Sequence, residues 1–167
     1  MGATAASEAT AAALDVKSAM RRDPFAMKPF IGYHVGDYMK HWFDMGDGLG
    51  DKAPQCFYVN WFRKDDEGKW LWPGFGDNSR VLKWMCERVE GKLDAVETPI
   101  GLMPCEGDLD VSGLDVPAED MDELMRVDID AWREEIPMVE EFFTSFGDKL
   151  PARLTEQLGK LKARLEK

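Results

Sequence analysis

The sequence predicts a mixed α/β fold in which an aromatic strand and hairpin are followed by helices. Three features point there. Residues 55–63, Gln-Cys-Phe-Tyr-Val-Asn-Trp-Phe-Arg, are almost continuously apolar and aromatic, the signature of a strand covered on both faces. A charged turn, Lys64-Asp65-Asp66-Glu67-Gly68, sends the chain back through Lys69-Trp70-Leu71-Trp72. Beyond it, apolar residues recur at helical spacing between Gly and Pro breaks.

Each element follows in order. Residues 1–20 are rich in Ala, Ser and Thr and lack large side chains, so taken alone they read as a frayed tail or a marginal helix. Pro24 and Pro29 among aromatics predict an extended, packed segment. A short helix is expected from Gly36, carrying Tyr38, Met39, Trp42 and Phe43, and ended by Gly46, Gly48 and Gly50. Past the hairpin, Pro73-Gly74-Phe75-Gly76 breaks the pattern. Asn78 or Ser79 is then expected to cap a helix whose Val81, Leu82, Trp84, Met85 and Val89 share one apolar face, with Gly91 as its stop. Residues 93–117 read as loop with extended pieces around Ile100 and Val111. Three acidic helices are expected to close the chain. In the middle one Trp132, Ile136, Val139, Phe143 and Phe146 share a face, and Pro137 should kink or split it. In the last, Leu150, Leu154, Leu158, Leu161 and Leu165 form a packing stripe, with Lys160, Lys162, Arg164 and Lys167 near its negative end.

Composition narrows the function. Of 167 residues, 44% are hydrophobic and 32% charged, which is globular rather than disordered. The net charge of -11 opposes nucleic acid and anionic membranes, so neither is an expected partner. Three cysteines, Cys56, Cys86 and Cys105, do not make a disulfide framework and suit a reducing compartment. Cys56 and Cys86 are expected to be buried as small hydrophobes, and Cys105 to be exposed. With no membrane-length apolar run and no signal-peptide pattern, a cytoplasmic location is expected.

The densest chemistry lies between residues 60 and 80. The strand delivers Phe62, the hairpin return delivers Trp70, and a tight loop before a helix delivers Phe75. Aromatics on neighbouring loops can sandwich a flat heterocycle, each stacked contact contributing roughly 1–3 kcal/mol. Gly74 and Gly76 permit close backbone approach. Asn78 offers both a donor and an acceptor to a base edge, beside the free N–H groups of a helix start. Composition by itself favours a core role for such a hairpin over a cofactor box.

The motifs carry a further reading. Val59-Asn60-Trp61-Phe62-Arg63-Lys64, then Trp72-Pro73-Gly74-Phe75-Gly76-Asp77-Asn78-Ser79-Arg80-Val81-Leu82, closely resembles the GTP-dependent phosphoenolpyruvate carboxykinases. So do Ser7-Glu8-Ala9-Thr10-Ala11-Ala12-Ala13, Asp23-Pro24-Phe25-Ala26-Met27, Gly32-Tyr33, Gly36-Asp37-Tyr38 and Thr98-Pro99-Ile100-Gly101, in the family's order. The resemblance covers nearly the whole chain and weakens in the acidic C-terminal helices. It implies the C-terminal part of the carboxykinase nucleotide-binding domain over residues 21–167. Residues 1–20 would be the remnant of a mobile active-site lid, Ser7, Glu8, Ala9, Thr10, Ala11, Ala12 and Ala13 among them, and are expected to be disordered. The family interconverts oxaloacetate and phosphoenolpyruvate, with GTP as phosphoryl donor, GDP as product and release of carbon dioxide. It uses manganese or magnesium. The resemblance implies a guanine pocket at Phe62, Trp70 and Phe75, with Gly76, Asp77 and Asn78 around the base edge. Trp70 replaces a frequent phenylalanine and Asp77 a frequent glutamate.

The resemblance also implies that metal ligands, phosphate loop and substrate arginines lie N-terminal to the matched segment, leaving no catalytic residue and no metal ligand here. No G-x-x-x-x-G-K-[ST] loop occurs, since Gly68-Lys69, Gly91-Lys92 and Gly159-Lys160 are each followed by Trp or Leu. The chain is therefore expected to be a monomeric piece, inactive alone, that binds GTP or GDP. Oxaloacetate and phosphoenolpyruvate would be handled only by the full-length enzyme. The alternative is a truncated, non-catalytic module acting through its acidic helices or a calcium-like loop. In that loop Asp108, Asp110, Ser112 and Glu119 fall near calcium-ligand positions, although Asp115 and Pro117 interrupt the pattern. His34, Asp37, His41 and Asp44 are spaced for one helix face, but a surface or hydrogen-bonding role is favoured over a metal site.

Overall fold

Five α-helices, four short 3-10 helices and two antiparallel two-stranded ladders make up the regular structure of residues 4–6, 20–23 and 27–167, the residues that the computed structural model describes. The mixed helix-and-sheet class expected from sequence is therefore present. The chain forms two compact units, one of residues 1–54 with 130–167, the other of residues 55–129. Among the described residues no helix is long and apolar enough to cross a membrane. The lid residues Ser7, Glu8, Ala9, Thr10, Ala11, Ala12 and Ala13 lie outside the described residues.

In the first unit β1 (Thr4–Ala6) pairs with β2 (Met20–Arg22), Ala5 opposite Arg21. Helix α1 spans Val35–Leu49. His34 caps it, its Nδ1 accepting the Gly36 N–H at 3.0 Å. Gly46 and Gly48 lie inside the helix rather than ending it. Gly50 ends it, because there the backbone takes φ 52°. Gly36 is buried against the chain just ahead of the last helix, where an added Cβ would collide with the Lys149 carbonyl oxygen.

Two long helices complete this unit, numbered here in chain order as α4 (Ile129–Thr144) and α5 (Ala152–Leu165). Helix α4 runs through Pro137 without the expected split. Pro137 and Arg133 are both exposed, so the Arg133 carbonyl that loses its N–H partner can turn to water. Its opposite face, Ile136, Val139 and Phe143, is buried, as are Leu154, Leu158 and Leu165 of α5, Met39 of α1 and Phe146. These are the apolar stripes read from the sequence. Arg22 joins Glu135 at 2.5 Å and Arg133 donates to the Leu165 carbonyl at 2.7 Å, both fastening the N-terminal half of α4. Lys162 pairs with Glu140.

The second unit holds α2 (Asn78–Val89), a hairpin of β3 (Val96–Thr98) and β4 (Gly101–Met103), and α3 (Ala118–Met125). The extended piece around Ile100 is thus the turn of a hairpin. Around Val111 there is a turn instead, because Asp110 Oδ1 accepts from the Ser112 N–H at 3.0 Å and Leu114 N–H reaches the Val111 carbonyl at 3.0 Å. The expected strand at residues 55–63 carries no ladder. Exposure alternates along residues 57–63, as in a strand, but among the described residues no neighbouring strand completes it. Only Lys64 bridges Trp70. The buried residues are Leu71, Trp72 and Trp84, with Phe57 edge-on to Trp84 at 6.0 Å.

Helix α2 departs from expectation in two ways. Leu82 and Val89 are exposed, and Trp84 alone of its apolar face is buried. Cys56 and Cys86 are likewise exposed, not buried, since residue 55–63 lacks a sheet and Cys86 stands with Leu82 and Val89 on the open side of α2. Cys105 is half-buried rather than exposed. Burial and the carboxylates of Asp108 and Asp94 raise its thiol pKa, which disfavours the thiolate a nucleophile needs.

Candidate functional site

The hairpin that carries the candidate aromatics is held by its own polar side chains. Asn60 Oδ1 accepts the Phe62 N–H at 3.0 Å, turning the chain before the hairpin. Asp65 Oδ1 accepts the N–H groups of Glu67 and Lys69 at 3.0 and 2.8 Å, and Gly68 supplies the left-handed φ of 84° that closes the turn. Leu71 N–H reaches the Arg63 carbonyl at 3.1 Å. Phe62 and Trp70 are thereby brought edge to face, centroids 6.0 Å apart at 65°, with Phe62 73% exposed and Trp70 50%. Lys64 Nζ lies 4.0 Å from the Trp70 ring centre, a cation–π contact.

Two ion pairs tie this hairpin to α3. Arg63 reaches Glu123 at 2.6 Å and the Leu124 carbonyl at 3.2 Å, and Lys69 reaches Asp120 at 2.9 Å. The Arg126 hydrogen bond, with the charges of Arg126 and Arg63, holds the Glu123 carboxyl below its ordinary pKa of 4.5. A carboxyl depressed in the folded state stabilises fully above its ordinary value and loses that contribution as pH falls through the depressed one. The stability difference between the native chain and Glu123→Gln should therefore be constant at neutral pH and shrink below about pH 4.5. Thermal melts across pH 3–7 would measure it. A difference that stays level throughout the acid range would contradict the assignment.

Phe75 is placed differently. Gly74, at φ 76° and ψ −163°, turns the chain into a 3-10 turn over Phe75–Asp77. Phe75 itself has φ 49°, and is the only non-glycine with positive φ among the described residues. For an L-residue that conformation costs roughly 1–2 kcal/mol. Its ring is 96% exposed and makes no ring contact among the described residues, so the structure brings Phe62 and Trp70 together but leaves Phe75 apart. Strain and an exposed phenyl ring, both unfavourable, coincide at one residue. Gly76 faces open space. Asp77 Oδ1 accepts from Arg80 Nε at 3.2 Å, and Arg80 Nη1 donates to the Asp110 carbonyl at 2.7 Å, fixing the loop to residue 110.

Asn78 does not cap α2 as expected. The helix starts at Asn78 with Asp77 at the cap position and no side-chain cap bond, because Asn78 Oδ1 is engaged elsewhere: it accepts the Nε1–H of buried Trp72 at 3.0 Å. Sequence reasoning passed over Trp72. The step from 72 to 78 crosses a Pro-Gly turn and has no periodicity, and the only available signal was that a buried indole N–H requires an acceptor. Arg63 and Arg80 were missed for the same reason, since their partners lie 60 and 30 positions away.

The weaker motifs are occupied internally. Asp108 Oδ2 accepts from Cys105 N–H at 3.1 Å and Trp84 Nε1–H at 3.4 Å, and Asp110 binds the Ser112 hydroxyl at 2.6 Å, so two carboxylates of the calcium-like loop serve the loop itself. His34 caps α1, Asp37 holds Lys149 at 2.6 Å and Asp44 holds Lys40 at 2.7 Å. Among the described residues no group of three or more His, Cys, Asp or Glu is placed to hold a metal ion.

The comparisons with known proteins agree with the motifs. A family model described as the phosphoenolpyruvate carboxykinase C-terminal P-loop domain matches residues 1–164. Relatives named phosphoenolpyruvate carboxykinase (GTP) include those of an Arthrobacter species, 49% identical over 166 residues, and of Paenarthrobacter aurescens, 50% identical over 166 residues. One from Neocallimastix frontalis is 49% identical over 168 residues. Each match takes in 99% of this chain but only 27–28% of the relative, so the chain spans little more than a quarter of their length. On these matches the chain belongs to the GTP-dependent phosphoenolpyruvate carboxykinase family, whose C-terminal domain it represents.

Proposed function

We propose that this chain supplies the guanine-binding pocket of a carboxykinase that interconverts oxaloacetate and phosphoenolpyruvate, with GTP as phosphoryl donor and carbon dioxide released. The observation that carries the reading is Phe75, a strained and almost fully exposed ring on the loop that enters α2. Phe62 and Trp70 offer a second aromatic surface, and the Lys64 ammonium beside Trp70 supplies positive charge to an otherwise acidic chain. Stacking holds a purine without regard to its identity, whereas Asn78 and the backbone around Gly76 and Asp77 read its edge. Binding the base fixes the nucleotide, so that positioning of the phosphates is gained from a remote part of the substrate.

Manganese or magnesium, when bound, would neutralise charge on the transferring phosphoryl group. Its ligands are proposed to lie in the larger part of the relatives that this chain does not match. Ser7, Glu8, Ala9, Thr10, Ala11, Ala12 and Ala13 are proposed as part of a lid that closes over the reacting groups and excludes water. A cytoplasmic, monomeric enzyme fits the acidic composition.

Titration of the purified chain with GTP and with ATP, followed by tryptophan emission, tests the reading. Trp70 beside Phe62 should be quenched saturably by GTP, and less by ATP. A folded chain whose emission ignores both nucleotides would remove the pocket assignment.

A further inference from the structure

Resting on the guanine-pocket reading, we infer that Trp72 is a positioning residue that makes the site selective for guanine by locking the side-chain amide of Asn78. An indole N–H can only donate. The 3.0 Å contact between Trp72 Nε1 and Asn78 therefore fixes which end of the amide faces the core: Oδ1 points to the indole and Nδ2 points away. Trp72 is 6% exposed and cannot reach water in exchange for this bond, so releasing Oδ1 would leave a buried donor unsatisfied. Nδ2 has no hydrogen-bond partner among the described residues, and it is not among their buried, unsatisfied atoms. The side chain thus turns its two Nδ2 donors outward and its acceptor oxygen toward the indole.

That polarity distinguishes the purines. An unrestrained asparagine is the natural partner of adenine, its oxygen accepting from the N6 amino group while its nitrogen donates to a ring nitrogen. With Oδ1 already committed, the half that would accept from N6 is unavailable, and an NH2 facing an NH2 is left unpaired. Guanine places the O6 acceptor at the equivalent position, which the free Nδ2 hydrogens can meet. A site built to hydrogen-bond one partner rejects another chiefly through groups left unpaired. Phe75, three residues before Asn78 in the same turn, supplies stacking that either base would accept.

Calorimetric titration of the chain with GTP, ITP and ATP tests this. Native protein should bind GTP and ITP comparably, since both carry O6, and ATP more weakly. Trp72→Phe keeps an aromatic ring but deletes the donor, freeing the amide to turn. The ratio of GTP to ATP affinity should then fall by about 3- to 10-fold, the range of one hydrogen bond, mostly through improved ATP binding. A substitution that merely loosened the core would weaken both nucleotides and leave the ratio intact, which would overturn the proposal. Asn78→Asp provides a check that does not depend on Trp72→Phe folding. It keeps an oxygen for the indole but removes both outward donors, and should weaken GTP and ITP alike by at least the same factor. Exchange of the Trp72 indole proton gives a third readout, needing no nucleotide. It should be slow in the native chain, and exchange as fast as a free indole would refute the lock. Should native protein show no preference for GTP over ATP, the guanine reading itself falls. If that preference is present and Trp72→Phe preserves it, only the role of Trp72 falls.

Discussion

Phe75→Ala should reduce GTP affinity by about 5- to 150-fold, the equivalent of the roughly 1–3 kcal/mol that one stacked base contributes. The expectation is specific because so little else depends on this side chain. Its ring is 96% exposed and touches no other ring among the described residues, so removing it leaves no cavity and deprives no buried group of a partner. Phe75→Gly sharpens the comparison. At φ 49° glycine is relieved of the left-handed penalty of about 1–2 kcal/mol, against about 0.5–1 kcal/mol for its greater freedom when unfolded. The glycine variant should therefore be as stable as the native chain, or slightly more so, while binding GTP as poorly as the alanine variant. Isothermal titration paired with thermal denaturation separates the two quantities. Undiminished affinity in either variant would dissociate Phe75 from the pocket. Lost stability in Phe75→Gly would mean that the ring packs on something.

The strained conformation of Phe75 lies beyond the reach of pattern, whereas much of what surrounds it does not. The stripes Ile136, Val139 and Phe143, and Leu154, Leu158 and Leu165, could be read directly because a helix converts sequence spacing into a face without reference to anything else. Residues 55–63 show the opposite case. Their composition is that of a strand, but a strand exists only beside a neighbour, and among the described residues there is none. The apolar pattern of α2 marked a face correctly and said nothing of whether anything would cover it, and Leu82 and Val89 are open. Phe62, Trp70, Phe75 and Asn78 are candidates from motif and residue type. The contacts that orient them could not be read that way, since Trp72 to Asn78 and Arg63 to Glu123 are set by how loops fold back and leave no period in the sequence. Pro137 does not split α4, for a related reason: its cost falls on the carbonyl of Arg133, an exposed residue, where water can take the place of the lost N–H.

The largest effect on stability is expected at Phe146, which lies beyond the end of α4 and is 1% exposed. Its ring stands edge-on to Phe142 at 5.2 Å, Phe143 at 6.2 Å and His34 at 6.4 Å. Phe146→Ala removes the shared member of all three contacts and opens a cavity in the core of the unit, at a cost of about 3–5 kcal/mol. A domain's whole stability is commonly about 5–15 kcal/mol, so the loss is a large part of it. Position makes it larger still. Residues 34 and 146 belong to segments far apart in the chain that form one unit, and Phe146 is a contact between them, next to Lys149, whose ammonium meets Asp37 at 2.6 Å. That exposed ion pair, worth little on its own, cannot replace the buried ring. Urea denaturation followed by circular dichroism should show the midpoint of Phe146→Ala displaced far below that of Phe146→Leu, which refills most of the volume. Equal midpoints for the two variants would mean that the unit repacks around either side chain, and that the ring contacts add nothing beyond bulk.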